Sequence, residues 1–241
     1  MEIRHLTVAG ENLRVAIQQG QGTPLIICSE LGANLELLQP FVQALPDAEC
    51  VLFDIPGIGQ SSNHRTLRRM SGYARMLVEL IDVCGYVGEV DLLGVGWGGL
   101  LAQKVAHNHP RRIRRLVLVS SSAGQTMFPG RVQDVLRLAT PKRFGTARRY
   151  TKIAESVYGG RAKHEPALIR ENAENAILPS SRGYLSQLLA VVGFSSLPWL
   201  HRLQQPTLVL AGDDDPIVPL VNARLLNLFI SRSRLQVVKG A

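Results

Sequence analysis

The stretch VDLLGVGWGGLLAQKVAHNHP, Val90 to Pro110, decides how the rest of the chain is read. Val90, Leu92, Leu93 and Val95 form an apolar run interrupted by Asp91 and Gly94, the pattern of a buried strand. Gly94, Gly96, Gly98 and Gly99 then make a corner of small residues. From Leu100 an apolar stripe with helical spacing follows and closes before Pro110. Strand, cramped turn and helix in this order match the G-x-S-x-G turn that pushes one hydroxyl into a cleft. The middle of the turn is Gly96, which has no side chain to push.

The same alternation extends to both sides. EIRHLTVAGENLRVAIQQG reads as a two-stranded opening turned at Gly10–Glu11–Asn12. PLIICSE (Pro24–Glu30) is a strand buried on both faces. NLELLQPFVQAL predicts a helix with Leu35, Leu38, Phe41, Val42 and Leu45 on one side, kinked or restarted at Pro40. CVLFDIPGIGQSS is a strand entering a Gly/Pro loop, and GYARMLVELIDVCG a helix stopped by Gly85. IRRLVLVSSS and PTLVLAG are further strands, LVNARLLNLF a helix and RLQVVKGA a last strand. Repeated strand–helix–strand order after an antiparallel start predicts an α/β fold, a mostly parallel sheet with helices on both faces. Between Ser122 and Leu203 the alternation stops. Residues 123–203 are therefore expected to be a helical lid inserted into a core made of 1–122 and 204–241, the second part incomplete at its C-terminal edge.

Bulk properties narrow the class. With 241 residues, 46% hydrophobic and 19% charged, the chain can bury one large core without staples. Cys28, Cys50 and Cys84 are an odd count, and Cys28 and Cys50 sit inside apolar runs, as buried thiols in a reducing compartment do. No Cys/His cluster suggests zinc; no metal and no cofactor are expected. No signal-type apolar core opens the chain and no window approaches a membrane span, so a cytoplasmic protein is expected. Much of the +8 net charge falls in HPRRIRRL (His109–Leu116) and in Arg131–Lys152, read as a solvated basic face. Only Phe144 and Tyr150 interleave the second cluster, which argues against a nucleic-acid partner.

Sites in such sheets collect beyond the carboxyl ends of the strands. Those ends are Ser29-Glu30-Leu31-Gly32, Ile55-Pro56-Gly57-Ile58-Gly59, Gly96-Trp97-Gly98-Gly99 and Asp213-Asp214-Asp215-Pro216. Acyl transfer needs a hydroxyl on a strained turn, N–H donors for an oxyanion, and an imidazole oriented by a carboxylate. The backbone N–H groups of Trp97 and Leu31 are the candidate oxyanion donors, and Asp215, just before Pro216, is the candidate carboxylate. Asp213 to Asp215 also read as a polar loop or a weak Mg²⁺ site. Ser120, Ser121 and Ser122 are poor substitute nucleophiles because no elbow surrounds them. The histidines are poor bases: His107 and His109 lie on the order of 15 Å down the elbow helix at ~1.5 Å per residue. His5 and His64 are far in sequence, and His164 and His201 belong to the insertion. Trp97 and Trp199 are candidates for lining an acyl pocket, with core packing an equal reading for Trp199.

The chain resembles the α/β-hydrolases, and more closely the intracellular medium-chain-length poly(3-hydroxyalkanoate) depolymerases. The likeness runs from about Pro24 onward through LGANLELLQPFVQAL, FDIPGIGQSS, GWGGLLAQKVAHNHPRRIRRLVLVSSSAG, VYGG and LQQPTLVLAGDDDPIVPLVNARLL. The resemblance implies an α/β-hydrolase fold and carboxylic-ester hydrolysis through an acyl-enzyme. It places the nucleophile at Gly96 and the triad acid at Asp215. It implies medium-chain hydroxyalkanoate esters or oligomers as substrate, with a polyester granule surface as a further partner. Three departures stand out. Gly96 replaces Ser; Ser29-Glu30 replaces Asn-Gly beside the oxyanion donor; and the family's Gly-His step is expected where Lys239-Gly240-Ala241 end the chain. A polyester-hydrolase lineage with Gly96 in place of the nucleophile and without the catalytic His is expected to be inactive as it stands, and a pseudo-hydrolase binding an acyl ligand or a protein partner is the alternative. Removal of a triad member leaves roughly 10³–10⁴-fold acceleration from binding and oxyanion donors.

Overall fold

The computed structural model describes residues 1–64, 66–130, 133, 159–160, 165, 167, 169, 177 and 179–241. Most of the Arg131–Lys152 cluster, His164 and the start of VYGG lie outside the described residues.

One eight-stranded sheet runs through the molecule in the order β1-β2-β4-β3-β5-β6-β7-β8. β1 (Glu2–Val8) and β2 (Glu11–Gln18) form a hairpin. Its two-residue turn is Ala9-Gly10, both at positive φ (51° and 77°), earlier than the Gly10–Asn12 turn the sequence suggested. A type I′ turn of this kind follows the twist of the strands it joins. β2 pairs antiparallel with β4 (Ala48–Phe53). From there β3 (Gln21–Cys28), β5 (Val90–Val95), β6 (Ile113–Val119), β7 (Thr207–Gly212) and β8 (Ser233–Val238) are parallel neighbours. The expected α/β architecture is present.

Period-two alternation sends successive strand residues to opposite faces, and in the central strands both faces are buried. Ile26, Val51, Phe53 and Leu92 join one apolar cluster, while their neighbours Ile27, Cys50, Leu52 and Leu93 join another. The first cluster includes residues of α2 (Met70–Val83), α3 (Trp97–Asn108) and α5 (Leu220–Phe229). The second includes Leu35 and Val42, from a 3-10 turn (Leu35–Leu38) and the short helix α1 (Gln39–Gln43) that restarts at Pro40. The apolar face expected there is only partly real: Leu35 and Val42 are buried, but Phe41 is exposed.

Within the inserted region, α4 (Ser181–Val191) has an inverted pattern. Tyr184, Ser186, Gln187 and Ala190 face inward, and Leu185 and Leu189 are exposed. Its start is fixed by Ser180, whose hydroxyl oxygen accepts from the Gly183 N–H at 2.9 Å while the hydroxyl donates to the Gly57 carbonyl at 3.0 Å. A Cβ on Gly183 would lie 2.3 Å from that same Gly57 oxygen, so the helix needs glycine there to seat against the loop after β4. The basic run after α3 is less solvated than expected. Arg112 donates to Asp82 at 2.6 Å and Arg114 to Asp91 at 2.6 Å.

Candidate active site

The strand-to-helix corner forms where β5 meets α3. Gly96 has φ 52° and ψ −112°, a left-handed conformation that residues bearing a Cβ avoid. The turn is fixed by three hydrogen bonds. The Gly96 N–H donates to Val119 O at 2.9 Å; Gly96 O accepts from Gly99 N–H at 3.0 Å and from the Ser121 hydroxyl at 3.0 Å. The glycines of the corner differ in kind. A Cβ at Gly94 would meet Gly98 O at 2.4 Å, one at Gly98 would meet Cys28 O at 2.1 Å, and one at Gly99 would meet Ser121 Oγ at 2.3 Å. A Cβ at Gly96 would have as nearest neighbours Glu30 Cβ at 3.6 Å and Ser120 O at 3.9 Å, which is ordinary contact. Three glycines are there for close packing; at residue 96 there is room for a side chain.

That room opens onto a cavity of about 710 Å³. Gly96, Trp97 and Leu100 line it from the corner and α3, Glu30 and Leu31 from the loop after β3, and Ser120 to Ser122 from the end of β6. Leu188, Val191 and Val192 line it from α4 and the residue after it. Asp215, Pro216, Ile217 and Val218 line it from the loop after β7. Four of the proposed site residues, Gly96, Trp97, Leu31 and Asp215, are therefore brought to one cavity. Trp199 is not. It stacks on His107 with ring centroids 4.2 Å apart, under Lys104 at 5.5 Å, as part of the packing against α3. An aromatic near the end of an insertion reads the same in sequence whether it faces the cavity or a neighbouring helix.

Asp215 is held in place by the chain that follows it: one carboxylate oxygen accepts the N–H groups of Ile217 and Val218, both at 2.9 Å. Asp213 and Asp214 are exposed, and an Asp213 oxygen accepts the Gly240 N–H at 2.7 Å. Among the described residues no group of three or more His, Cys, Asp or Glu side chains is arranged to hold a metal. The backbone N–H groups of Leu31 and Trp97 donate to no group of the described residues. No described histidine lines the cavity. His64 is buried and its Nε2 lies 2.7 Å from the Tyr73 hydroxyl, with Glu11 3.9 Å from its Nδ1. Burial holds its pKa below the ordinary value, with Arg68 and Arg182 adding to the drop and Glu11 opposing it. Burial likewise pushes the Cys28 thiol up, which makes it inert rather than nucleophilic.

Two features were not legible beforehand. Gln187, fully buried on α4, accepts the Gly32 N–H on its side-chain oxygen at 2.8 Å, and its backbone oxygen accepts the Trp97 indole N–H at 2.9 Å. One residue thus ties α4 to both loops that carry the candidate oxyanion donors. The only hint in the sequence is a polar residue inside the apolar run YLSQLLAVV. The second is Ser120 at φ 43°, one of two non-glycine residues among those described with positive φ. Strained backbone of this kind gathers at functional sites.

The family model for the alpha/beta hydrolase fold matches residues 23–241. A poly(3-hydroxyalkanoate) depolymerase from Ectopseudomonas oleovorans is 41% identical over 238 residues, spanning 98% of this chain and 84% of that protein. The 3-oxoadipate enol-lactonase 2 of Acinetobacter baylyi is 25% identical over 228 residues, 92% of this chain and 83% of that protein. Among solved structures, a hydrolase from Pseudomonas aeruginosa PA01 superposes with a TM-score of 0.83 at 23% identity, covering 98% of this chain and 89% of that one.

Proposed function

This chain belongs to the alpha/beta hydrolase family, and we propose that its cavity receives a medium-chain acyl ester of the hydroxyalkanoate type. The observation that carries the reading is the corner at Gly96: a left-handed turn with side-chain room, on the wall of a cavity that also holds Asp215. In this reading Leu31 and Trp97 present their N–H groups to a developing oxyanion, and Asp215 stands at the position of a triad acid. Leu188, Val191 and Val192 supply the apolar wall for the acyl chain, which fits residues 123–203 acting as a lid over the core. Gly96 has no atom that can attack, so no acyl-enzyme forms at this position. A non-catalytic acyl-binding protein is the second reading, and the same glycine favours it. A poly(3-hydroxyalkanoate) oligomer is the ligand that the name of the 41%-identical relative suggests, and a granule surface in the cytoplasm is the setting we propose with it.

The reading is tested by binding rather than turnover. A ketone analogue of a medium-chain 3-hydroxyacyl ester is titrated while the fluorescence of Trp97 is followed, with Trp199 replaced by Phe. Each added methylene is expected to contribute about 0.8 kcal/mol, roughly fourfold in Kd, until the cavity is full. Leu188→Asp should weaken binding at least tenfold. Affinity that ignores chain length and the Leu188 substitution would remove the ester-binding reading.

A further inference from the structure

The departure at residue 96 does not stand alone. The side chain nearest to the room above Gly96 belongs to Glu30, at the end of β3, where it too lines the cavity. A Cβ built at 96 stands 3.6 Å from Glu30 Cβ and 3.9 Å from the carbonyl oxygen of Ser120. A carboxylate reaches three bonds beyond its Cβ, far enough for a Glu30 oxygen to touch a group seated where a residue-96 side chain would be. The Ser120 carbonyl is a second acceptor at the same place, held there by the left-handed backbone of that residue and by its N–H bond to Leu210 O at 2.9 Å. The Ser120 carbonyl, together with a Glu30 carboxylate turned toward the same side-chain-sized space, would give a water two acceptors there, and a buried water needs two to four polar partners to be held.

We propose that this protein hydrolyses esters in a single displacement, with Glu30 as general base on a water seated in the space above Gly96. The proposal rests on the ester-binding reading of the same cavity. The water oxygen bonds to the ester carbonyl carbon as the Glu30 carboxylate takes one water proton. The carbonyl pair moves onto oxygen, facing the N–H groups of Leu31 and Trp97. Collapse of that intermediate re-forms the carbonyl and breaks the bond to the alkoxide, which takes the proton back from Glu30. Ester and water become acid and alcohol, with Glu30 returned as carboxylate. Because Glu30 is neutralised as the oxyanion forms, its charge does not oppose that oxyanion. No covalent enzyme intermediate occurs.

The experiment uses the full chain with p-nitrophenyl octanoate, and with the ketone analogue as a binding control. The expected result is hydrolysis above buffer with no burst and no acyl adduct in the intact mass after acid quench. Glu30→Gln should lower kcat by about 10²–10⁴, the usual worth of a positioned general base, with the analogue's Kd within twofold. Gly96→Ala, whose methyl occupies the water's place, should lower kcat at least tenfold and serves as the second probe if Glu30→Gln does not fold. Analogue binding without hydrolysis, equal rates in the unchanged protein and Glu30→Gln, or an acyl adduct would each overturn the proposal and leave the ester-binding reading standing. Loss of analogue binding to the unchanged protein would overturn both.

Discussion

At residue 96 the backbone sits at φ 52° and ψ −112°, and glycine is the residue that occupies this region without a steric penalty. A Cβ there meets nothing closer than 3.6 Å, so a side chain would cost conformational strain and not a clash. Gly96→Ser is therefore expected to destabilise by about 1–3 kcal/mol, a melting temperature lower by a few degrees. Gly98→Ala should be worse, because its Cβ would press to 2.1 Å of the Cys28 carbonyl, backbone that cannot swing aside. Thermal melts of the two variants check the ranking; a Gly96→Ser protein as stable as its parent would deny that the corner is a strained elbow. Positions on the cavity wall were legible where chemistry needs a fixed spacing: Gly96 at the strand-to-helix corner and Asp215 before Pro216. Trp199 was left open between cavity and core, because burial direction, not residue type, decides whether an aromatic faces a cavity or a helix; it packs on His107.

At the scale of elements, α4 is held to the core by polar contacts more than by an apolar stripe. Ser180 caps it onto Gly57, and Gln187 reaches Gly32 and Trp97. Gln187→Leu keeps the backbone bond to the Trp97 indole but leaves the Gly32 N–H without its acceptor. An unsatisfied buried donor of this kind costs about 1–3 kcal/mol. The expected outcome is a lower melting temperature together with weaker binding of the ketone analogue, since the Leu31–Gly32 loop loses its anchor. Normal analogue affinity in a destabilised Gln187→Leu protein would show the contact to be structural only. The inversion of α4 explains why sequence periodicity described it poorly. Leu185 and Leu189 are exposed, whereas Ser186 and Gln187 are buried. Strands β3 and β5 were legible for the opposite reason: Ile26 and Leu92 are buried on one face and Ile27 and Leu93 on the other, so their apolar runs leave no choice of side.

Across the whole molecule, two buried ionisable groups that do not line the cavity make stability depend on pH with opposite signs. Asp54, fully buried after β4, is pushed up to about 6 by burial. The N–H groups of Gln60 and Leu35 and the Arg14 guanidinium at 3.5 Å pull the other way, and Glu36 adds to the rise. An unfolded Asp titrates near 3.9, so between roughly pH 4 and 6 the folded state holds the extra proton. Its contribution is present below that window and is lost as pH rises through it, at most about 3 kcal/mol at ~1.4 kcal/mol per pH unit. His64 runs the other way. Its pKa is lowered by burial, so the unfolded chain binds the proton first, and stability is lost as pH falls below about 6.5. Thermal melts from pH 7 to pH 5 separate the two. Relative to the unchanged protein, His64→Gln should gain melting temperature as pH falls, and Asp54→Asn should lose it. The two differences need to move in opposite directions with pH; parallel or flat differences would mean that these buried groups do not set the acid limb. Neither effect could be read from the chain, where Asp54 is one residue of a Gly/Pro loop and His64 one polar residue among several. The sheet that buries them is what gives each its sign.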